Sequence, residues 1–144
     1  MTALTENEPL PNQPSKRDPR GRIYVAGPYT FSAPGELASA EERAQHVQTA
    51  ARIAERLRKA GWTPFLPHAH YGAWNDALGG LVFAGRAGHD EVMTQCLRWV
   101  DVCEAVVRIP GYSPGSDAET SHATQMGIPV YPAADVDKLT RARI

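Results

Sequence analysis

Short apolar runs alternate with amphipathic stretches along this chain, and their order predicts its secondary structure. The apolar run at 23–26 ends in Gly27-Pro28 and predicts a strand followed by a turn. Ser39 and Glu42 have the spacing of a capping box, and apolar residues then recur with a period near 3.6 up to Gly61, which predicts a helix. The same reasoning predicts strands at 63–66, 104–109 and 128–131 and helices at 90–102, 117–126 and 136–143.

Alternation of strands and helices favours a parallel sheet covered on both faces. We therefore expect an α/β domain of the flavodoxin-like or Rossmann-like type, with three layers and four or five mostly parallel strands. Pro64 indicates that its strand lies at a sheet edge. Segment 29–37 is predicted to be a loop, and segment 67–88 a loop with a short helix. Residues 1–20 are polar and rich in proline, so we expect a flexible tail rather than a signal peptide, and one domain over 21–144.

Composition narrows the possible partners. Fifteen Lys and Arg residues nearly balance sixteen Asp and Glu residues, which argues against a nucleic-acid polymer or a membrane surface as partner. Cys96 and Cys103 fit neither a disulfide framework nor a metal-ligand spacing, so we expect a reducing, cytoplasmic setting. Nothing in the sequence implies a metal or an organic cofactor.

The predicted topology brings three segments to one edge of the sheet. Ligands of parallel sheets bind beyond the carboxyl ends of the strands, where segments 24–29, 68–71 and 111–119 should converge. A glycine- and serine-rich loop that opens a helix can bind an anion, and Ser116 or Asp117 could cap that helix. Glu119 would lie in the first helical turn, where the helix dipole keeps a carboxylate ionised. It could be a charge partner of the helix or a reactive group.

Five motifs in order carry a family resemblance. They are Ile-Tyr-Val-Ala-Gly-Pro at 23–28, Pro-His at 67–68, Trp99, Ser-x-Gly-x-x-x-Glu at 113–119 and Gly-Ile-Pro-Val at 127–130. In these motifs the chain resembles the nucleoside 2-deoxyribosyltransferase-like superfamily. Within it, the chain is most similar to the deoxynucleoside 5′-monophosphate N-glycosidases and to related phage and bacterial proteins of unassigned function.

The resemblance implies roles for particular residues. Glu119 would be the nucleophile at the anomeric carbon of the sugar, and Tyr24 would position the sugar and that carboxylate. Ser113 would contact a 5′-phosphate, helped by backbone N–H groups near Gly115 and Ser116. Each residue also has a simpler explanation, in which Glu119 only complements the helix dipole, Tyr24 packs in a strand, and the serines form a turn and cap.

Further residues are assigned to the substrate site by the same resemblance. Gly27, Pro28 and His68 follow predicted strands. Independently of the resemblance, Trp74 in the glycine-rich segment is the better candidate for stacking on a base, since core packing is the default for Trp99. Cys96 stands where many members of the superfamily have a catalytic aspartate. Members usually form homo-oligomers in which a neighbouring subunit completes the pocket, so a dimer or larger assembly is expected.

Two functions follow from the sequence. The first is an enzyme that binds a nucleoside or nucleoside 5′-monophosphate and cleaves or transfers at the N-glycosidic bond with Glu119 as nucleophile. The second is a catalytically silent nucleotide-binding protein of the same fold, a sensor or sequestering protein. Cys96 favours the second, because a thiol is a poorer proton donor and hydroxyl acceptor than a carboxylate.

Overall fold

A four-stranded parallel sheet forms the centre of the protein, for which a computed structural model describes residues 20–141. The expected tail at 1–19 lies outside the described residues. The strands of this sheet are β1 (Gly21–Ala26), β4 (Trp62–Phe65), β5 (Ala105–Arg108) and β6 (Val130–Pro132), in the order β4-β1-β5-β6. Pro64 pairs with Ile23 and lies on the edge strand β4, as its missing N–H predicts.

Helices cover both faces of the sheet. They are α1 (Ala40–Lys59), a π-helical turn (His68–Gly72) that runs into α2 (Ala73–Ala77), α3 (Gly85–Asp101), α4 (Pro114–Gln125), a 3-10 turn (Ala133–Asp135) and α5 (Val136–Thr140). The predicted capping box of Ser39 and Glu42 begins α1. Gly61 and Gly127 follow α1 and α4 with positive φ angles of 105° and 77°, which let the chain turn after each helix. Among the residues described, no helix is both long and apolar enough to cross a membrane.

Strand alternation divides the core into two layers. Ile23 and Val25 of β1 face α1 and α5, where they pack with Leu57 and Leu139. The intervening residue Tyr24 faces the opposite layer, in which it packs with Cys96 and Val100 of α3 and Ala123 of α4. The α/β three-layer fold expected from the sequence is confirmed, and it places Tyr24 beside α3 and α4.

Three sequence-based expectations about element boundaries are wrong. Segment 29–37 contains an antiparallel hairpin of β2 (Phe31–Ala33) and β3 (Glu36–Leu37), separate from the main sheet. Helix α3 begins at Gly85, five residues before the predicted start at residue 90. Helix α4 begins at Pro114 and is capped by Ser113, not by Ser116 or Asp117.

Candidate active site

Tyr24 and Glu119 form a buried hydrogen-bonded pair between β1 and α4. The Tyr24 hydroxyl donates to Oε2 of Glu119, and the two residues are 0% and 3% exposed. Because α4 starts three residues earlier than predicted, Glu119 lies in its second turn. A carboxyl group in that place is not a solvated partner of the helix dipole, since it faces the core.

Burial decides the charge state of this carboxyl group. It raises the pKa of Glu119 to about 7, although the hydrogen bond from Tyr24, the nearby Arg108 and the Cys96 thiol each lower it. Arg108 also pairs with Asp117 at 2.9 Å. The expectation that Glu119 stays fully ionised at neutral pH is therefore wrong, because it assumed an exposed first-turn position.

Cys96 contributes a neutral thiol to the same cluster. It lies on α3, is buried, and neighbours both Tyr24 and Glu119. Burial raises the pKa of the Cys96 thiol to about 12, and it raises the pKa of Tyr24 well above 10 as well. Within this cluster, Glu119 is accordingly the group that changes protonation near neutral pH.

The serines of the 113–119 run are hydrogen-bonded within the protein. Ser113 Oγ accepts from the backbone N–H of Ser116 at 3.1 Å and donates to Ser116 Oγ at 2.8 Å. Ser116 Oγ in turn donates to the carbonyl oxygen of Gly27 at 2.9 Å. Both hydroxyl protons are thus committed to the N-cap of α4 and its attachment to β1. A phosphate-binding role for Ser113 stays a prediction.

His68 also hydrogen-bonds to the carbonyl group of Gly27. Its Nε2 lies 2.6 Å from Gly27 O, and since a carbonyl only accepts, Nε2 carries the proton. Burial lowers the pKa of His68 to about 4, so the ring is neutral and Nδ1 can accept a hydrogen bond. The His68 ring stacks on Tyr29 with centroids 4.8 Å apart and planes 6° apart.

A cavity of about 770 Å³ opens beside this cluster. Cys96 forms part of its lining, with His89 two helical turns earlier on the same face of α3. Aromatic rings of Tyr29, Tyr71 and Phe83 line it as well. A volume of this size, with aromatic walls and a few polar groups, is typical of a small-molecule site.

Two glycines hold these walls in place. A Cβ atom on Gly72 would lie 2.6 Å from the Tyr29 hydroxyl, and one on Gly88 would lie 2.3 Å from the backbone carbonyl carbon of Phe83. A larger residue at Gly72 would push the Tyr29 side chain aside, whereas one at Gly88 would collide with the backbone of Phe83. Gly88 is therefore required by close packing against the backbone.

Comparison with known proteins places the chain in a family. Residues 21–134 match the model of a family described as a domain of unknown function, DUF1937. The chain belongs to this DUF1937 family. No curated protein matches it.

The fold of this DUF1937 member is nucleoside 2-deoxyribosyltransferase-like. A solved structure of the 2-deoxyribosyltransferase from the psychrotolerant bacterium Bacillus psychrosaccharolyticus is similar over 77% of this chain and 70% of that one, with a TM-score of 0.51. The two sequences are 21% identical, a level at which the likeness concerns the fold. The fold expected from the five sequence motifs is confirmed.

Not every predicted site residue of the DUF1937 chain reaches the cavity. Trp74 is 46% exposed and lies outside the cavity lining, with its ring edge against Phe83 at 5.2 Å. Trp99 packs on Phe65 with centroids 4.4 Å apart, as expected of a packing residue. Pro28 lies against Gly111, where a Cβ would come within 2.6 Å of Pro28 Cγ.

Sequence reasoning missed several cavity residues. The missed side chains share no motif and come from segments that the sequence presents as loops or solvent-facing helix turns: Tyr29, Arg43, Tyr71, Phe83 and Arg86. Tyr29 and Tyr71 had a usable signal, since each ends a segment, 24–29 or 68–71, that was predicted to converge at the carboxyl ends of the strands.

Proposed function

We propose that the protein binds a nucleoside or nucleoside 5′-monophosphate and cleaves or transfers at its N-glycosidic bond, with Glu119 as nucleophile. The observation that carries this proposal is the buried Tyr24–Glu119 pair, adjoined by Cys96, which lines a cavity of about 770 Å³. The fold supports it, because the similar structure belongs to a 2-deoxyribosyltransferase described as a biocatalyst for nucleoside synthesis.

The chemistry follows from the ionised form of the carboxyl group. A Glu119 oxygen attacks C1′ of the sugar, the C1′–N bond breaks, and its electron pair leaves with the base, which takes up a proton. Water or a second base then attacks C1′, the bond between C1′ and the Glu119 oxygen breaks to release the carboxylate, and the proton lost by the attacking group returns to the residue that protonated the first base. Tyr24 fixes the orientation of the carboxyl group throughout by its hydrogen bond to Oε2.

Departure of the base needs a proton donor on the cavity side. The Cys96 thiol, with a pKa of about 12, is a poor acid, and Nε2–H of His68 is committed to Gly27 O. His89 lines the cavity on the same face of α3 as Cys96. We assign the proton to His89, because an imidazole ring can donate an N–H proton to a leaving base.

One observation favours a catalytically silent binding protein instead. Glu119 is 3% exposed and is not itself part of the cavity lining, whereas Cys96 is. Attack on C1′ therefore requires side-chain movement that opens Glu119 to the cavity. A protein that only senses or sequesters nucleotides would need no such opening.

The test is incubation with ribo- and deoxyribonucleosides and their 5′-monophosphates, with free base measured by chromatography and binding measured by calorimetry. Release that Glu119→Gln abolishes while binding persists supports the enzyme. Binding without release supports the silent protein. A panel in which nothing binds and nothing is released contradicts both functions.

Cys96→Asp separates the two functions further. If the natural protein is inactive and this variant releases base, the site is a nucleotide-binding site that has lost its second carboxylate. If the natural protein is already active, Cys96→Asp should raise the pKa of Glu119, since a second buried carboxylate disfavours its ionised form.

A further inference from the structure

Two arginines of the cavity lining lack a carboxylate partner. Arg43 on α1 and Arg86 on α3 both line the cavity, and within residues 20–141 neither forms an ion pair. Arg43 is half-buried, its Nη1 donates to the carbonyl oxygen of Ala38 at 2.8 Å, and its side chain also hydrogen-bonds to the Tyr29 hydroxyl. The rest of its five N–H donors remain available.

Three arginines outside the cavity show the contrast. Arg22 pairs with Glu104 at 3.0 Å, Arg108 pairs with Asp117 at 2.9 Å, and Arg56 pairs with Asp137. These side chains meet their charge partner within the protein. The half-buried Arg43 and the exposed Arg86 instead line a cavity, and the planar fork of donors of a guanidinium group matches a phosphate group well.

The cavity lining also contains one carboxylate, but it does not cancel the preference of the two arginines for an anion. Asp76 lines the cavity too, so two arginines stand against one carboxylate. Asp76 is exposed, and together with Arg43 it acts on the pKa of Tyr29, which burial raises. The Tyr29 hydroxyl lies near Arg43 and stays protonated, which makes it a further donor toward an anion at this end of the cavity.

We propose that Arg43 and Arg86 bind the 5′-phosphate of the substrate, so that the protein acts on nucleoside 5′-monophosphates rather than on free nucleosides. This inference rests on the proposed function and moves the phosphate away from the 113–116 segment. The hydroxyl protons of Ser113 and Ser116 are committed to other acceptors there, whereas the arginines have donors to spare.

Calorimetry with matched ligands and variants tests the assignment. Each nucleoside is compared with its 5′-monophosphate in the wild type and in Arg43→Gln and Arg86→Gln. We expect each substitution to weaken monophosphate binding by about 10- to 100-fold and to leave nucleoside binding within about twofold, as expected for loss of a charge-assisted hydrogen bond. Arg52→Gln and Arg98→Gln, exposed positions on the same two helices and outside the cavity lining, are the matched controls.

Inorganic phosphate, titrated into the same four variants, keeps this inference separate from the proposed function. Phosphate binding that only Arg43→Gln and Arg86→Gln weaken supports the anion site even if no nucleoside binds, a result that would contradict the proposed function alone. Equal affinity for nucleosides and their monophosphates overturns the arginine assignment and leaves the proposed function intact. Loss of monophosphate binding in the control variants to the same extent overturns it as well.

Discussion

Glu119 is a carboxyl group whose surroundings set it near the midpoint of its titration at neutral pH. Burial favours the protonated form, and the Tyr24 hydroxyl and Arg108 favour the ionised form; burial prevails and raises the pKa to about 7. A nucleophile must be ionised, so the charge state of this one residue controls the proposed reaction.

The rate of base release should therefore follow the ionisation of Glu119. We expect kcat/KM to rise from pH 6 with a midpoint near 7, because the attacking carboxylate accumulates over that range. Initial rates at constant ionic strength check this. A profile that falls across the same range would mean that the protonated carboxyl group is the active form.

Tyr24→Phe should move that midpoint upward. The Tyr24 hydroxyl stabilises the ionised carboxylate, so removing it raises the pKa of Glu119 above 7 and shifts the rise in kcat/KM to higher pH. A purely structural role of Tyr24 would lower the rate without moving the midpoint. The pH profile of the variant thus distinguishes electrostatic support from packing.

The same pKa shift predicts a pH-dependent stability. Because folding raises the pKa of Glu119 from 4.5 to about 7, its stabilising contribution is full below about pH 4.5 and is lost once the pH has passed about 7. Glutamine resembles the protonated carboxyl group. The free energy of unfolding of Glu119→Gln, relative to that of the wild type, should therefore increase by about 2–3 kcal/mol from pH 5 to pH 8.

Urea unfolding of both proteins at the two pH values measures this difference. His68 acts in the opposite sense, since its lowered pKa removes stability as the pH falls through about 4, but that contribution cancels in the comparison at equal pH. Glu36→Gln, at an exposed glutamate of β3, should change stability equally at both pH values. If the difference in free energy of unfolding between Glu119→Gln and the wild type did not depend on pH, this would contradict the raised pKa of Glu119.

At the scale of elements, the start of α4 links the helix to the sheet. Ser113 caps the helix, and Ser116 attaches its first turn to the Gly27 carbonyl at the end of β1. This attachment holds α4 where Glu119 can meet Tyr24.

Ser113→Ala should lower the free energy of unfolding by about 1–2 kcal/mol, because the N-cap bond and the support of Ser116 are both lost. Thr124→Ala on the exposed face of the same helix should change it by less than about 0.5 kcal/mol. Chemical denaturation provides both values. Similar values for the two variants would show that the cap does not hold the helix.

Elements with local signals were predictable from the sequence, and the others were not. The capping box of Ser39 and Glu42 and the glycine at Gly61 defined α1 at both ends. The β2–β3 hairpin lacks such signals, since its strands have three and two residues and pair only with each other. The first turn of α3 has no capping side chain, so its start could not be read from the sequence.

At the scale of the whole molecule, the cavity depends on residues that are far apart in the sequence. The motif at 113–119 and the strand at 23–26 predicted the meeting of Glu119 and Tyr24, because the carboxyl ends of parallel strands share one edge of the sheet. Arg43 and Arg86 come together only through tertiary packing, which brings α1 and α3 to the same cavity. The spacing of residues along the chain does not predict that packing.

The most direct test of the account is the rate of base release from a 5′-monophosphate panel by the wild type and by Glu119→Gln at pH 8. We predict release by the wild type and a loss of about 10³-fold or more in the variant, with the variant still folded and still binding the monophosphate. Equal rates of release in the two proteins would contradict the central claim that Glu119 attacks the sugar.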